Sequence, residues 1–312
     1  MKLLTHETYW QGPETVVALG MFDGVHIGHA QLIRTANHLA ALHDLKSVIQ
    51  TFSTHPLSII APDRVPPMLT TRAEKIAAIS GYRPDALIMR PFDAAFAALS
   101  PEAFVQTLAQ SLHPRHIVVG FNYTFGLKGA GTPQLLTELG RRYGFETHVV
   151  GAVVRDGETV SSTRIRELLQ QGRMGEATRL LGRPYSLCGE VVRGKQLGRK
   201  LGFPTANLAW PKNKAIPPKG VYFSRVWMEG DAYEAMLNIG THPTAPGGPP
   251  SIEAYLVDFD GDLYGKHLRV ELWRYRRPEQ RFASLDALKE QMGLDLEATV
   301  QFFEERKKPQ NK

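Results

Sequence analysis

Apolar positions along this chain follow two different rhythms, and the change between them falls near residue 182. Before it, short β-branched and apolar runs alternate with longer segments whose apolar residues recur at helical spacing. The spacing predicts strands at residues 15–19, 47–52, 86–89, 116–119 and 147–154. Helices are predicted at residues 29–42, 72–79, 101–111, 133–143 and 162–171, the third with Pro101 in its first turn. Strands separated by helices point to a parallel sheet with helices on both faces. Ligands of such sheets sit beyond the carboxyl ends of the strands.

After Gly182-Arg183-Pro184 the runs become short and β-like, at residues 186–192, 220–228, 233–239, 252–257 and 267–274. Gly/Pro turns separate them, among them Pro217-Pro218-Lys219-Gly220 and Pro246-Gly247-Gly248-Pro249-Pro250. Only the tail, residues 284–307, has a helical pattern. Several short strands at close spacing predict a small antiparallel barrel. Two domains are therefore expected, residues 1–182 and 183–312, with no internal repeat and no low-complexity segment.

Composition agrees with this division. A chain of 312 residues, 43% hydrophobic and 22% charged, can bury one core in each half. Cys188 is the single cysteine, so neither an intramolecular disulfide nor a multi-cysteine metal site can form. No apolar run approaches the roughly 20 residues of a membrane span, and residues 1–10 lack the basic-then-apolar order of a signal peptide. A cytoplasmic location and no membrane partner are expected. The net charge of +6 is spread over both halves, apart from dense patches at residues 274–277 and 306–308. That suits an enzyme with anionic substrates better than a nucleic-acid binder, which more often carries a basic block.

The first candidate site is Gly20-Met21-Phe22-Asp23-Gly24-Val25-His26-Ile27-Gly28-His29, between the first strand and the first helix. Gly20, Gly24 and Gly28 let backbone approach a ligand. Backbone N–H groups at a helix start attract phosphate, and His26 and His29, three apart, can face one anion. Charge developing at an α-phosphate needs donors already in place. By itself His-x-x-His is more often a pair of surface or structural residues; the strand–turn–helix setting reverses that. It is neither GxxxxGK[ST] nor GxGxxG. Ser161-Ser162-Thr163-Arg164-Ile165-Arg166 precedes a predicted helix. As a bare string it is equally a helix cap or a phosphate contact with an Arg one turn on.

The histidine segment resembles the signature of nucleotidyltransferases that join AMP to a phosphate. Ser-Ser-Thr-x-x-Arg resembles that superfamily's second phosphate motif. Together with Thr51-Phe52, His55-Pro56 and Val119-Gly120-Phe121-Asn122-Tyr123-Thr124-Phe125-Gly126, in this order, the strings resemble bacterial bifunctional riboflavin kinase/FAD synthetase. The resemblance implies that His26, His29, Ser162, Thr163 and Arg166 handle ATP phosphates, beside Gly20, Phe22, Asp23, Gly24 and Gly28. It places Phe52, His55, Pro56, Asn122 and Phe125 where the family holds ATP or flavin. For the aromatic residues, core packing is the equal alternative.

In the second half, residues 194–207 read Gly-Lys-Gln-Leu-Gly-Arg-Lys-Leu-Gly-Phe-Pro-Thr-Ala-Asn. Gly194 and Gly202, with Arg199 and Lys200, suit a polyphosphate. Thr205 and Asn207 share one face of an extended segment, and two neutral oxygens plus nucleotide phosphates can hold Mg²⁺. Alone, Thr-Ala-Asn is also a plain turn. Gly-x-Pro-Thr-Ala-Asn resembles the riboflavin kinase signature, as do Asn238-Ile239-Gly240-Thr241-His242-Pro243-Thr244, Ile252-Glu253-Ala254-Tyr255-Leu256 and Asp258-Phe259-Asp260-Gly261-Asp262-Leu263-Tyr264-Gly265. The Arg277-Pro278-Glu279 and Phe282 segment fits as well. This implies Thr205 and Asn207 at the metal, Glu253 as catalytic base and Arg277 near the flavin.

The implied fold is an α/β nucleotidyltransferase-type parallel sheet followed by a six-stranded antiparallel barrel with a C-terminal helix. ATP and Mg²⁺ are the implied co-substrate and cofactor, and riboflavin, FMN and FAD the implied substrates and products. Departures from the pattern are Met21 for a frequent Asn, His242 for Arg or Asn, a less basic Gln196-Leu197, and the proline-rich turn at 246–250. Three other readings stay open: one activity retained, a single-strand-binding module, and a flavoprotein that only carries FAD. Self-association is left open.

Overall fold

The computed structural model describes residues 1–194, 198, 201–209, 212–240 and 251–307. Arg199, Lys200, Gln196, Leu197, His242 and the turn at 246–250 lie outside the described residues. Contacts divide the chain into two compact units, Met1–Ser162 and Thr163–Lys312.

In the first unit, six strands form one parallel sheet: β1 (Lys2–Leu4), β2 (Thr15–Leu19), β3 (Lys46–Phe52), β4 (Ala86–Arg90), β5 (Pro114–Gly120) and β6 (Glu146–Val150), in the order β1-β4-β3-β2-β5-β6. Between them run α1 (Ile27–Leu42), α2 (Leu57–Ile60), α3 (Arg72–Ser80), α4 (Ala94–Ala97), α5 (Pro101–Leu112) and α6 (Pro133–Tyr143). The central strands are buried on both faces, as in a parallel sheet covered by helices, and are mainly apolar, with Ser47, Gln50 and Thr51 of β3 the buried polar exceptions beside Thr15. Val17, Leu19, Val48, Ile117 and Val119 face one core with Phe104, Val105, Leu108 and Leu136 of α5 and α6. Val16, Ala18, Ile49 and Val118 face the other, with Leu32, Ile33, Ala36 and Ile79 of α1 and α3.

From β2 the chain winds outward through β3 and β4, then returns to β2's other side for β5 and β6. This reversal leaves a crevice beyond the carboxyl ends of β2 and β5. The predicted strand at 147–154 ends at Val150, and Val154 begins a hairpin of β7 (Val154–Arg155) and β8 (Glu158–Thr159). Edge strand β1 has three residues, too short to carry a period.

The second unit opens with α7 (Ser162–Gln170, its first residue closing the first unit) and α8 (Met174–Leu181), which packs on β9 and β14 of the barrel. Strands β9 (Tyr185–Val192), β10 (Ala206–Leu208), β11 (Gly220–Met228), β12 (Asp231–Gly240), β13 (Ser251–Leu256) and β14 (His267–Pro278) close in the order β10-β13-β12-β11-β14-β9. The interior holds Leu187, Tyr222, Val226, Leu237, Ala254, Val270 and Leu272. Helix α9 (Leu285–Lys307) covers part of the outer face, with Phe302 and Phe303 against Phe223 and Trp273. Sequence periodicity missed α8 and β10. One is two turns long and the other three residues.

Candidate active sites

Because the sheet is parallel, everything that follows a strand lies at one edge. Residues 20–29 follow β2, Phe52, His55 and Pro56 end or follow β3, and Asn122 follows β5. The residues singled out in three separate stretches thus meet at the crevice edge.

The turn after β2 is held in an unusual backbone. Phe22 has φ 49°, Gly24 φ 81° and Val25 φ 41°. Only Gly24 lacks a Cβ to oppose that conformation; burial of the Phe22 and Val25 side chains offsets the strain at the other two. Asp23 is 2% exposed, and its carboxylate accepts hydrogen bonds from the Leu69 and Thr70 N–H groups and the Thr70 hydroxyl at 3.0–3.2 Å. These bonds give Asp23 the work of fixing the turn against residues 69–70. Phe22 packs in the core. Gly20 donates its N–H to Gln50 O at 3.3 Å.

His26 caps α1: its Nδ1 accepts the His29 N–H at 3.2 Å. The two imidazoles stack with centroids 3.6 Å apart, which Gly28 permits, since a Cβ there would stand 3.2 Å from the His26 ring. A pair of imidazoles at the positive end of a 16-residue helix is an anion-binding arrangement. Ser162 donates its hydroxyl to Asp23 O at 2.9 Å, which ties this residue to the same turn. Thr163 and Arg166 stand on α7 in the second unit.

Lys75 escaped the sequence reading. It is 2% exposed, and its ammonium donates to Met21 O at 2.9 Å and Phe52 O at 3.1 Å, joining the exits of β2 and β3. Burial pulls its pKa down from 10.5 to about 8, against the opposing pull of Asp23. A lysine on an amphipathic helix gives no sign that it points inward. Phe52 meets Phe92 and Phe96 edge-on, at 5.1 and 5.5 Å. Phe125 is buried in the core against Phe104, while Asn122 is exposed. His55 Nδ1 accepts the Leu57 N–H at 3.1 Å, and Pro56 precedes α2.

The barrel carries the second site on its outer face. Strand register puts Asn207, Glu253, Asn238, Val221 and Arg277 in one row across β10, β13, β12, β11 and β14. Thr205 donates to Glu253 Oε2 at 3.4 Å. A cavity of about 290 Å³ is lined by Thr205, Asn238, Glu253, Arg277, Phe282 and Asp295, among others. Arg277 Nε donates to Asp295 Oδ2 at 2.8 Å and Nη2 lies 2.6 Å from the same oxygen. This fixes the guanidinium at the cavity wall. Thr205 also lines a second cavity of about 330 Å³, with Pro204, Phe259, Asp260, Asp262 and Tyr264.

Gly194 sits against the Asn207 amide, where a Cβ would collide with it. Gly202, at φ 88°, turns the chain just before Thr205. The donor set around Thr205 is hydroxyl, amide and carboxylate oxygen only, which fits Mg²⁺. Asn238 and Asp295 were given no role from sequence. Asn238 opens the 238–244 string, in which no single residue stands out by type or spacing. Asp295 lies in the helical tail, and only packing brings that helix to Arg277.

Both halves match family models in the order of these sites. The FAD synthetase model matches residues 9–164 and the riboflavin kinase model residues 181–303. A bifunctional riboflavin kinase/FMN adenylyltransferase of Bacillus subtilis is 35% identical over 300 residues, covering 95% of this chain and 94% of that one.

The chain belongs to the bifunctional riboflavin kinase/FMN adenylyltransferase family.

Its Escherichia coli K12 member is 36% identical over 290 residues, with 92% of each chain covered. A crystal structure of a Streptococcus pneumoniae protein named as a macrolide-efflux protein shares this fold, with a TM-score of 0.86 and 32% identity over 96% of this chain and 98% of that one. Among the described residues no helix is long and apolar enough to cross a membrane. The family's two domains, FAD synthetase and riboflavin kinase, therefore follow one another here, on the parallel sheet and on the barrel.

Proposed function

We propose that the barrel converts riboflavin and ATP to FMN through Glu253, and that the parallel-sheet edge joins AMP to FMN through His26 and His29. The observation that carries the residue assignment is the barrel row: Glu253 lies between Asn207 and Asn238 and beside Thr205, at a cavity walled by Arg277. In the kinase reaction the ribityl hydroxyl oxygen attacks the γ-phosphorus and ADP leaves. Glu253 accepts the hydroxyl proton as the new bond forms. The cavity with Arg277 and Phe282 takes the flavin, and the one with Phe259 and Tyr264 takes the nucleotide. Thr205 and Asn207 hold Mg²⁺, which when bound neutralises phosphate charge.

In the second reaction an FMN phosphate oxygen attacks the α-phosphorus of ATP and pyrophosphate leaves. His26 and His29 face the charge that develops there, and the stacking and capping that fix them in advance spare reorganisation at that moment. Phe52, His55, Pro56 and Asn122 stand at the same edge, where FMN is placed. Phosphate roles for Thr163 and Arg166 rest on their motif. Use of ATP and the single Cys188 support a cytoplasmic location. We place the domain division at Gly182, with α8 a helical prop of the barrel.

The test is incubation of pure protein with riboflavin, ATP and Mg²⁺, separating the flavins over time. FMN should appear first and FAD after it. Stoichiometric bound flavin with no turnover would replace this reading with a carrier. Assays with riboflavin alone and FMN alone distinguish a chain with one silent half.

A further inference from the structure

The amino ends of β5 and β6, opposite the edge that carries His26 and His29, hold a second group of metal-binding side chains. Glu146 and His148 are two apart on β6 and so project from one face. Parallel register sets His116 of β5 beside Glu146. His116 Nδ1 and His148 Nε2 are 3.0 Å apart. The same two nitrogens lie 3.7 and 3.8 Å from the Glu146 carboxylate oxygens. Among the described residues this is the one group of three or more His, Cys, Asp or Glu whose donor atoms converge in this way. His43, at the end of α1, has its ring centroid 4.6 Å from that of His116. Glu14, His43, His116 and Glu146 line a cavity of about 490 Å³.

We propose that His116, His148 and Glu146 form a binding site for a divalent transition-metal ion, with Zn²⁺ the ion they fit best. Two imidazole nitrogens and a carboxylate suit zinc, nickel or copper rather than magnesium or calcium. Ligand bonds of about 2.0–2.2 Å in tetrahedral geometry put donor atoms roughly 3.3–3.6 Å apart. The two nitrogens are slightly closer than that and reach different Glu146 oxygens, with one donor atom from each residue lying within 4.8 Å of the others, so a rotation of the exposed Glu146 side chain closes the triangle. Both strands are anchored in the sheet, so the donors are held near this geometry before the ion arrives. Across the 3.0 Å contact one ring donates its N–H to the other; to ligate through both nitrogens the donor ring takes its other tautomer, its proton moving to the ring nitrogen that faces away from the ion. The remaining position opens on the cavity and holds water. The site plays no part in the flavin reactions and braces the amino ends of β5 and β6.

The full-length protein is stripped with a chelator, dialysed into buffer with excess Mg²⁺, and titrated with Zn²⁺ against a chromogenic competitor. Cobalt is substituted in parallel to read its visible spectrum. The parent should bind one equivalent, with an intense cobalt spectrum and a raised Tm. His148→Ala and His116→Ala should weaken binding by at least about 100-fold, because even a group that merely supports a ligand is worth about 10–100-fold. Exposed Glu146→Gln should weaken binding without any risk to folding and should alter the cobalt spectrum. His267→Ala, at an exposed histidine of the barrel, should change nothing. Failure of the parent to bind near one equivalent would overturn the site. So would equal binding by the parent, His148→Ala and Glu146→Gln.

Discussion

Replacing Lys75 by Met removes the buried ammonium that ties the exits of β2 and β3, and its signature is a pH dependence. The folded-state pKa is about 8 against 10.5 for a free lysine, with desolvation the main cause. Below pH 8 both states carry the proton, and folding bears the full cost of burying the charge. Between pH 8 and 10.5 the unfolded chain still holds the proton that the folded chain has released, so stability rises with pH at up to about 1.4 kcal/mol per unit. From pH 7 to pH 10 this amounts to about 2.5 kcal/mol. The Met variant lacks this gain. It also lacks both hydrogen bonds, although Met21 O keeps the Thr51 hydroxyl at 2.8 Å. Pulse proteolysis in urea, with fragments mapped to the first unit, would give stability at pH 7, 8.5 and 10 for both proteins. Subtracting variant from parent cancels tyrosines whose pKa burial raises, such as Tyr123. The parent's advantage should grow by about 2–3 kcal/mol across that range, and FMN adenylylation should fall in the variant while riboflavin phosphorylation holds. A difference that stays flat, or shrinks, as pH rises would refute a buried lysine of low pKa.

His29→Ala should cut FAD formation by about 10²–10³ and spare FMN formation, since it removes one placed donor while the His29 N–H still reaches His26; equal loss of both activities in a steady-state assay would point to unfolding. Glu253→Gln should lower kinase kcat by roughly 10²–10⁴ with adenylylation intact, and added Mg²⁺ should not restore it. Thr205→Ala and Asn207→Ala, by contrast, should regain rate along a Mg²⁺ series, and near-parental kcat for Glu253→Gln would remove it as the base. Residues 163–312 expressed alone should fold and make FMN but no FAD. The shorter 183–312 should do the same with a lower Tm, because it omits α8, whose Met174, Ala177, Leu180 and Leu181 are buried; a folded but inert 163–312 would sink the independence of the kinase half.

Periodicity determined the architecture because the signal is local. Two-sided apolar strands such as β2 and helices such as α6, each predicted with the bounds the structure has, follow from which residues must leave water. The motifs after β2 and around Thr205 were legible for the same reason, since turn glycines, histidines and oxygen donors occur as short contiguous strings. Glu253 stood out only through its resemblance to a family, because one carboxylate on a strand has no spacing of its own. Tertiary structure decided what depends on partners far away in the chain. Lys75 faces inward because two carbonyl groups 54 and 23 residues away need a donor. Asp295 belongs to the kinase cavity because α9 lies across the barrel at Arg277, 18 residues earlier. His116 and His148 become a pair only when β5 and β6 align in register across a 32-residue gap. Such pairings are set by packing and register, which no local pattern encodes.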